Sequence, residues 1–139
     1  MTEKITLEIS AEELRKILLD YYQELYNDKS INIVFIPEKK YESDDEFEFK
    51  YLTTKIILRK SKPIDLKIGK CTSVIEEELF SNDIKKVLDS TLSDTDYKVK
   101  DIDFKTSEKN VSEDEFEDYS FDGINVSLRR KQKVKQKTK

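Results

Sequence analysis

Three blocks of this sequence each occur twice, separated by nearly the same number of residues. The first members lie at 14–18, 43–48 and 56–60, and their counterparts lie at 84–88, 112–117 and 126–130. The offset is 69 or 70 residues in all three cases. An offset that persists through separate blocks predicts two copies of one structural unit, which constrains the architecture before any single residue is considered.

The first copy has the pattern of a β-α-β-β unit. Residues 4–9 alternate apolar and polar side chains, as a half-buried strand does. Ser10 and Glu13 have the spacing of a capping box, and apolar residues then follow at three- and four-residue steps, which predicts a helix. Two further strands are predicted, one at 31–36 that ends at Pro37 and one at 51–58.

The second copy repeats this plan. A strand at 73–80 precedes a shorter helix that Ser81 or Asn82 is expected to cap. Alternation at 97–104 predicts the next strand. Gly123 is expected to make the turn into a last strand at 124–128.

The repeat predicts an α+β protein made by tandem duplication. The expected parts are a first β-α-β-β repeat at 1–60, a joint at 61–70, a second repeat at 71–130 and a disordered basic tail at 131–139. Ile64, Leu66 and Ile68 allow a short edge strand within the joint. One helix per copy cannot cover both faces of a sheet. The helices therefore either lie on one side of a joined antiparallel sheet or face each other across a pseudo-twofold axis.

Charge divides the chain into an acidic body and a basic end. Residues 129–139 contain seven Lys or Arg and no acid, whereas residues 1–128 contain 19 basic and 30 acidic residues, a net charge of −11. One function that the basic end predicts is non-specific binding of nucleic acid through residues 129–139. It lacks the interleaved aromatic residues that stack on bases, so it is equally suited to keep the protein soluble or to fold back on the acidic body.

The residue types that are rare or missing exclude most enzyme classes. The chain has no histidine, one cysteine and two glycines. Without histidine the usual general base and zinc ligand is lost, and two glycines cannot form a phosphate-binding loop. We therefore expect no enzymatic activity, no cofactor and no metal, with Cys71 as an apolar filler. The lone cysteine, the absence of a signal peptide and the absence of a membrane-spanning apolar run predict a cytoplasmic protein.

One enzymatic alternative stays open. Glu48-Phe49-Lys50 and Asp103-Phe104-Lys105 have the acid-x-Lys form that metal-dependent nucleases place on a strand. In such a site the carboxylates hold Mg²⁺ and the lysine activates water. The competing interpretation is a solvated strand face, since such triplets arise by chance in a chain with 40% charged residues.

The acidic runs carry the main functional hypothesis. Carboxylates at a regular spacing imitate the phosphates of nucleic acid, so they can occupy a basic channel on another protein. Phe47 and Phe116, each inside an acidic block, are expected to be aromatic anchors. The predicted partner-binding residues are Glu42, Asp44, Asp45, Glu46, Phe47, Glu48, Glu113, Asp114, Glu115, Phe116, Glu117 and Asp118. The alternative is that these acids only solvate a hairpin surface and protect edge strands.

The second copy also carries a resemblance. A helix, then Tyr97-x-Val99-x-x-Ile102-x-Phe104, an acidic spacer and the segment 121–126 follow one another. In this the chain resembles small acidic proteins of phages and mobile elements of Gram-positive bacteria. Such proteins include anti-CRISPR proteins and other host-takeover inhibitors, which implies an acidic inhibitor of a host nucleic-acid-binding enzyme. The motif specifies packing and turn chemistry, so no functional residue is carried over.

Overall fold

A computed structural model describes residues 3–43, 47–109 and 118–132. The elements are β1 (Ile5–Ser10), α1 (Ala11–Tyr26), β2 (Ile31–Ser43), β3 (Glu48–Leu66), β4 (Gly69–Leu79), α2 (Ser81–Thr91), β5 (Tyr97–Lys109) and β6 (Asp118–Arg130). They form a mixed α+β fold with two helices and two antiparallel three-stranded sheets. The α+β class predicted from the sequence is confirmed.

Each sheet contains strands from both halves of the chain. The strand order is β1-β6-β5 in the first sheet and β2-β3-β4 in the second. The strand that precedes each helix, β1 or β4, therefore does not pair with the two strands that follow that helix. Each such strand lies instead beside the last strand of the other β-α-β-β half, so both sheets depend on both halves.

The middle strands of the two sheets carry core residues with matching neighbours. Ile56 of β3 and Ile124 of β6 each lie between a phenylalanine and an aliphatic residue. The neighbours are Phe35 and Leu79 for Ile56, and Phe104 and Ile9 for Ile124. In the repeated sequence blocks the counterpart of Ile56 is Val126, which lies two residues after Ile124. A shift of two residues keeps the same set of side chains on the inner face, because side chains alternate with a period of two.

One hydrophobic core is shared by both helices and both sheets. The apolar stripe predicted for each helix faces this core: Leu14, Leu18, Ile84, Val87 and Leu88 are buried, whereas Leu25 near the end of α1 is 57% exposed. The residues with almost no exposed surface are Leu14 and Leu18 of α1, Ile84 and Val87 of α2, Ile33 and Ile56 of the second sheet, and Val99, Ile124 and Val126 of the first.

The two helices begin with different capping interactions. Ser10 caps α1 as predicted, and its Oγ accepts a hydrogen bond of 3.2 Å from the backbone N–H three residues later. The cap predicted for α2 is wrong, because Ser81 is already helical and Asn82 follows it. The carboxylate of Asp83 instead accepts a 2.8 Å hydrogen bond from the backbone N–H of Phe80. A carboxylate in the first turn also interacts favourably with the helix dipole.

Two predicted chain breaks are wrong. Pro37 does not end a strand, since β2 continues to Ser43; proline is tolerated on an edge strand, where hydrogen-bond donors are needed on one side only. Gly123 is not in a turn but inside β6, opposite Ser10. Its φ is 118°, and a Cβ there would clash with the carbonyl oxygen of Ile9. Glycine therefore lets β1 lie close against β6.

Residues 61–70 belong to the far end of the β3–β4 hairpin. Ile64 pairs with Cys71, and Leu66 pairs with Gly69. The short edge strand considered for this segment is thus part of the long strand β3. At the other end of the chain the backbone N–H of Lys131 donates to the carbonyl oxygen of a residue before β5 at 2.7 Å. The disorder predicted for the rest of the tail concerns residues 133–139, which lie outside the described residues.

Candidate partner-binding site

The β2–β3 hairpin continues well beyond the core. Phe35 and Ile56 pair across the two strands and belong to the core. Beyond this pair the strands stay paired as far as Ser43 with Glu48. Eight residue steps at about 3.3 Å each give a projecting segment about 26 Å long. Residues 37–43 and 47–54 of this segment are called the first arm.

The β5–β6 hairpin forms a second, shorter arm, residues 107–109 and 118–120, beyond Phe121, which is buried in the core. Pairing continues past the core to Lys109 and Asp118. The two arms touch at their bases, where the Oγ1 atoms of Thr54 and Thr106 lie 2.6 Å apart and Thr54 is buried. In the sequence, each repeated acidic block falls between the two strands of one of these hairpins, with residues 44–46 and 110–117 outside the described residues.

The first arm exposes three large aromatic side chains. The exposed fractions are 57% for Tyr41, 64% for Phe47 and 40% for Tyr51. Tyr41 pairs directly with Lys50, the residue before Tyr51, so the two tyrosines lie on opposite faces of the arm. The Nζ atom of Lys50 lies 5.5 Å from the centre of the Tyr41 ring, and the Tyr51 hydroxyl donates to Glu42 at 3.2 Å.

Charged groups surround these aromatic rings. Desolvation, together with the neighbouring Glu42 carboxylate, raises the pKa of Tyr51, so its hydroxyl remains a donor at neutral pH. One carboxylate oxygen of Glu38 lies 3.8 Å from the Nζ of Lys40 and 3.7 Å from the Nζ of Lys55. Charges of both signs thus lie near the base of the arm, whereas in the sequence its acidic residues are concentrated toward its end.

The structure describes only part of the predicted site. Glu42 and Phe47 are exposed on the first arm, as a partner-binding role requires. Glu48 and Asp118 begin β3 and β6, and their side chains lie outside the description. The other predicted residues lie outside the described residues: Asp44, Asp45, Glu46, Glu113, Asp114, Glu115, Phe116 and Glu117.

Sequence reasoning missed the two tyrosines of the first arm. Tyr41 lies in no predicted element, and Tyr51 begins the strand predicted at 51–58 with no face assigned to it. The error follows from the strand end wrongly predicted at Pro37, because residues beyond that point were not assigned to faces of a sheet. Continued alternation through 38–43, matched to the strand at 51–58, is the signal that would have found them.

A basic cleft of about 540 Å³ lies at the opposite end of the β5–β6 hairpin. Its lining residues are Lys98, Arg129, Arg130, Lys131 and Gln132. Arg130 is paired with Glu3, with an Nε to Oε1 distance of 3.0 Å. This hydrogen bond and the charge of Arg130 lower the pKa of Glu3. The Nζ of Lys131 donates to three carbonyl oxygens at and after the end of α2, at 3.3, 3.0 and 2.6 Å. Arg130 and Lys131 therefore anchor the beginning of the tail.

The structure describes only some side chains of the two acid-x-Lys triplets that the nuclease alternative uses. Asp103 is exposed on β5 opposite Asn125, which in turn lies opposite Glu8 of β1. Among the described residues, no three or more Cys, Asp or Glu side chains are grouped so that they could hold a metal ion. The side chain of Glu48, from the other triplet, lies outside the description. Neither helix in the described ranges is long and apolar enough to cross a membrane.

Comparison with protein-family models, with curated proteins and with solved structures finds no match. The function is therefore inferred from the residues and geometry of this chain.

Proposed function

We propose that this chain is a non-enzymatic inhibitor, encoded by a phage or mobile element, that binds a host protein through its arms. The observation that carries the proposal is the exposure of Tyr41, Phe47 and Tyr51 on a hairpin that extends beyond the core. Aromatic side chains supply much of the energy of protein interfaces. A hairpin that only protected a sheet edge would need charges and no exposed aromatics.

The shape of the first arm favours a partner with a groove. Tyr41 and Tyr51 lie on opposite faces, so one partner contacts both only if it encloses the arm. The end of the arm has Glu42 on one strand and the acidic residues 44–46 in the connection. A basic groove that normally holds nucleic acid fits this arrangement, since carboxylates replace phosphates and long-range attraction speeds association. The target class we propose is accordingly a host nucleic-acid-binding defence enzyme.

The proposed origin of the two arms is duplication of a β-α-β-β unit. The constant sequence offset, the identical strand order of the two sheets and the matching neighbours of Ile56 and Ile124 support it. In this account the two units exchange their first strands, so that neither closes its own sheet. The second arm is then a second copy of the binding element.

Affinity capture from a Gram-positive host lysate, read by quantitative mass spectrometry, tests the proposal. The wild type is compared with a double variant, Tyr41→Ala/Tyr51→Ala, and with Asp44→Lys/Asp45→Lys/Glu46→Lys. The matched control, Glu8→Lys/Asp20→Lys/Glu24→Lys, makes the same charge change at exposed positions outside the arms. We expect the wild type and the control to capture the same protein, and both arm variants to lose at least about tenfold of it. Equal capture by all four proteins would contradict the proposal.

The alternative function is nucleic-acid binding by residues 129–139. It is favoured by the basic cleft, in which Lys98 and Arg129 face each other across paired strands. Removal of all of 129–139 would also remove Arg130 and Lys131, which hold Glu3 and the end of α2. Truncation after Gln132 is the cleaner test. If the alternative is correct, the full chain binds DNA at moderate salt, and the truncated chain, which keeps the cleft but loses four lysines, binds it more weakly.

A further inference from the structure

β4 is an edge strand that lacks the features protecting the other edges. In the described structure the sheets end at β1, β5, β2 and β4. Proteins commonly protect edges with short strands, proline, bulges or charged side chains. β1 has only six residues, β2 contains Pro37, and β5 has irregular pairing at two places. β4 has 11 residues, no proline and no register shift against β3, and its charged residues lie near its two ends, so that residues 71–75 carry no charge.

The same strand exposes apolar side chains. Val74 is 51% exposed and Ile75 is 65% exposed. Ile75 shares a face with Cys71, which pairs with the exposed Ile64 of β3. This stripe lies on the face that packs against the core nearer the end of β4, and it continues into an apolar groove of about 340 Å³ beside Tyr26. An apolar stripe beside an unprotected edge is suited to pairing with another strand.

The charges along β4 identify the partner strand. Lys70 lies near its beginning, after Lys67 of the preceding turn, whereas Glu76, Glu77 and Glu78 lie near its end. A strand with opposite charges at its two ends is complementary to itself when the second copy runs antiparallel. We propose that β4 pairs with β4 of a second copy of this chain, making a six-stranded sheet across a twofold axis. This assembly goes beyond the partner binding proposed for the arms.

The pairing has a specific register. A twofold axis at Ser73 keeps the core-facing sides of both copies on one face of the joined sheet. The opposing pairs are then Lys70 with Glu76, Cys71 with Ile75 and Thr72 with Val74. An axis at Thr72 would place Lys70 opposite Val74 and lose the charge pair. An axis at Val74 would pair Lys70 with Glu78 but would place Cys71 opposite Glu77, so the apolar pair of Cys71 with Ile75 would be lost.

An intramolecular contact prepares Glu76 for this role. Its carboxylate accepts a 2.8 Å hydrogen bond from the Nε of Arg59 and lies 2.7 Å from an Nη atom of the same guanidinium. In the joined sheet Lys70 of the second copy approaches Glu76 from the other side. Each half of the interface then contains an Arg-Glu-Lys row across three strands, and charge pairs of this kind add specificity to association.

Sedimentation equilibrium over a wide concentration range tests the assembly. We expect the wild type to form a dimer and Lys70→Glu to raise the dissociation constant about tenfold or more. The double exchange Lys70→Glu/Glu76→Lys restores opposite charges across the axis but loses the pair of Glu76 with Arg59, so it should return the constant part of the way toward the wild-type value. Lys16→Glu, on the exposed surface of α1, is the control for charge alone. A monomer at every concentration, or a dimer unaffected by Lys70→Glu, would overturn the proposal.

Disulfide cross-linking tests the register. In a Cys71→Ser/Ser73→Cys variant the only thiol meets its own copy at the axis, where opposed Cα atoms lie within the range of about 4.4–6.8 Å that a disulfide spans. In the wild type the two Cys71 side chains would be about four residue steps, or about 13 Å, apart along the strands. We therefore expect rapid covalent dimerisation of the variant and none of the wild type. Equal cross-linking of the two proteins would exclude this register.

Discussion

The body and the first arm of this protein are built from the same two strands, yet their side chains have opposite relations to solvent. In the body, Ile33 of β2 and Ile56 of β3 are almost completely buried. Further along these strands, Tyr41 and Tyr51 are exposed. Strand pairing is continuous between the two regions, so the backbone does not distinguish them. The comparison teaches that the body determines stability, whereas the aromatic residues of the arm need another explanation, which we propose is binding.

The largest expected effect is on the matched core residues of the body. Ile56→Ala and Ile124→Ala should each lower the free energy of unfolding by about 2–5 kcal/mol, because each removes a fully buried side chain and leaves a cavity. Since the two residues have corresponding neighbours, we expect costs of similar size from denaturant unfolding. A small cost at one of the two would show that the halves are not equivalent, and would break the comparison within the body.

The next effect concerns the close approach of β1 to β6. Gly123→Ala should cost about 3 kcal/mol, because the new Cβ meets the carbonyl oxygen of Ile9 and the φ of 118° is unfavourable for alanine. Gly69→Ala is the control, since a Cβ there has no neighbour within 4 Å and only the backbone conformation is strained. We expect its cost to be about 1 kcal/mol. Thermal unfolding of the two variants that gave equal losses would refute the account of Gly123.

A smaller effect is expected from the helix caps. Ser10→Ala and Asp83→Ala should each cost about 1 kcal/mol, because each leaves a backbone N–H without its side-chain acceptor. Asn82→Ala should have almost no effect. If Asn82→Ala lost more stability than Asp83→Ala, the cap would be Asn82, as the sequence predicted, and the assignment of Asp83 would be wrong.

The dependence of stability on pH should report the contacts of Asp28, which lies shortly before β2. One carboxylate oxygen of Asp28 lies 2.6 Å from the Nζ of Lys60, and the other accepts hydrogen bonds from the backbone N–H and hydroxyl of Ser30. These contacts lower the pKa of Asp28 below its ordinary value of 3.8. The stabilisation is therefore present above about pH 4 and is lost as the pH falls through the lowered pKa.

The Asp28→Asn variant checks this assignment. We expect it to be less stable than the wild type at neutral pH, with the difference shrinking progressively below about pH 4 as Asp28 of the wild type becomes protonated. Denaturant midpoints measured across the acid range give the difference. A difference that stayed constant with falling pH would mean that the charge of Asp28 is not responsible.

The parts of the structure that the sequence predicted well depend on local patterns. Alternation predicted β1 and β5, helical spacing predicted the buried face containing Leu14 and Leu18, and Ser10 was assigned correctly as a cap. The pairing of β1 with β6 and of β4 with β3 was not predicted, because no local sequence pattern states which strand will be a neighbour. Gly123 was misassigned for a similar reason, since its conformation is required by β1, which is distant in sequence.

The candidate site was predicted to a smaller extent. The acidic block directed attention to the end of the β2–β3 hairpin, and Phe47 is exposed there, as a binding role requires. Tyr41 and Tyr51 were missed because exposure depends on how far a strand extends past the core, and composition does not report that distance.

The smallest effect on stability is expected in the first arm, where the effect on binding should be largest. Tyr41→Ala/Tyr51→Ala should change the free energy of unfolding by no more than about 0.5 kcal/mol per residue, because neither side chain belongs to the hydrophobic core. Unfolding curves should therefore nearly overlap those of the wild type. A loss comparable to that of Ile56→Ala would place the tyrosines in the structural body and remove the contrast between the two regions.

The most direct measurement of the central claim is the affinity of one captured host protein for the wild type, the tyrosine double variant and Ile56→Val. Ile56→Val is a mild core substitution that leaves the arm untouched. The account predicts that the double variant loses at least about tenfold in affinity while keeping its stability, and that Ile56→Val loses about 0.5–1.5 kcal/mol of stability while keeping its affinity. Full affinity in the double variant would contradict the account and leave the arm as a solvated extension of the sheet.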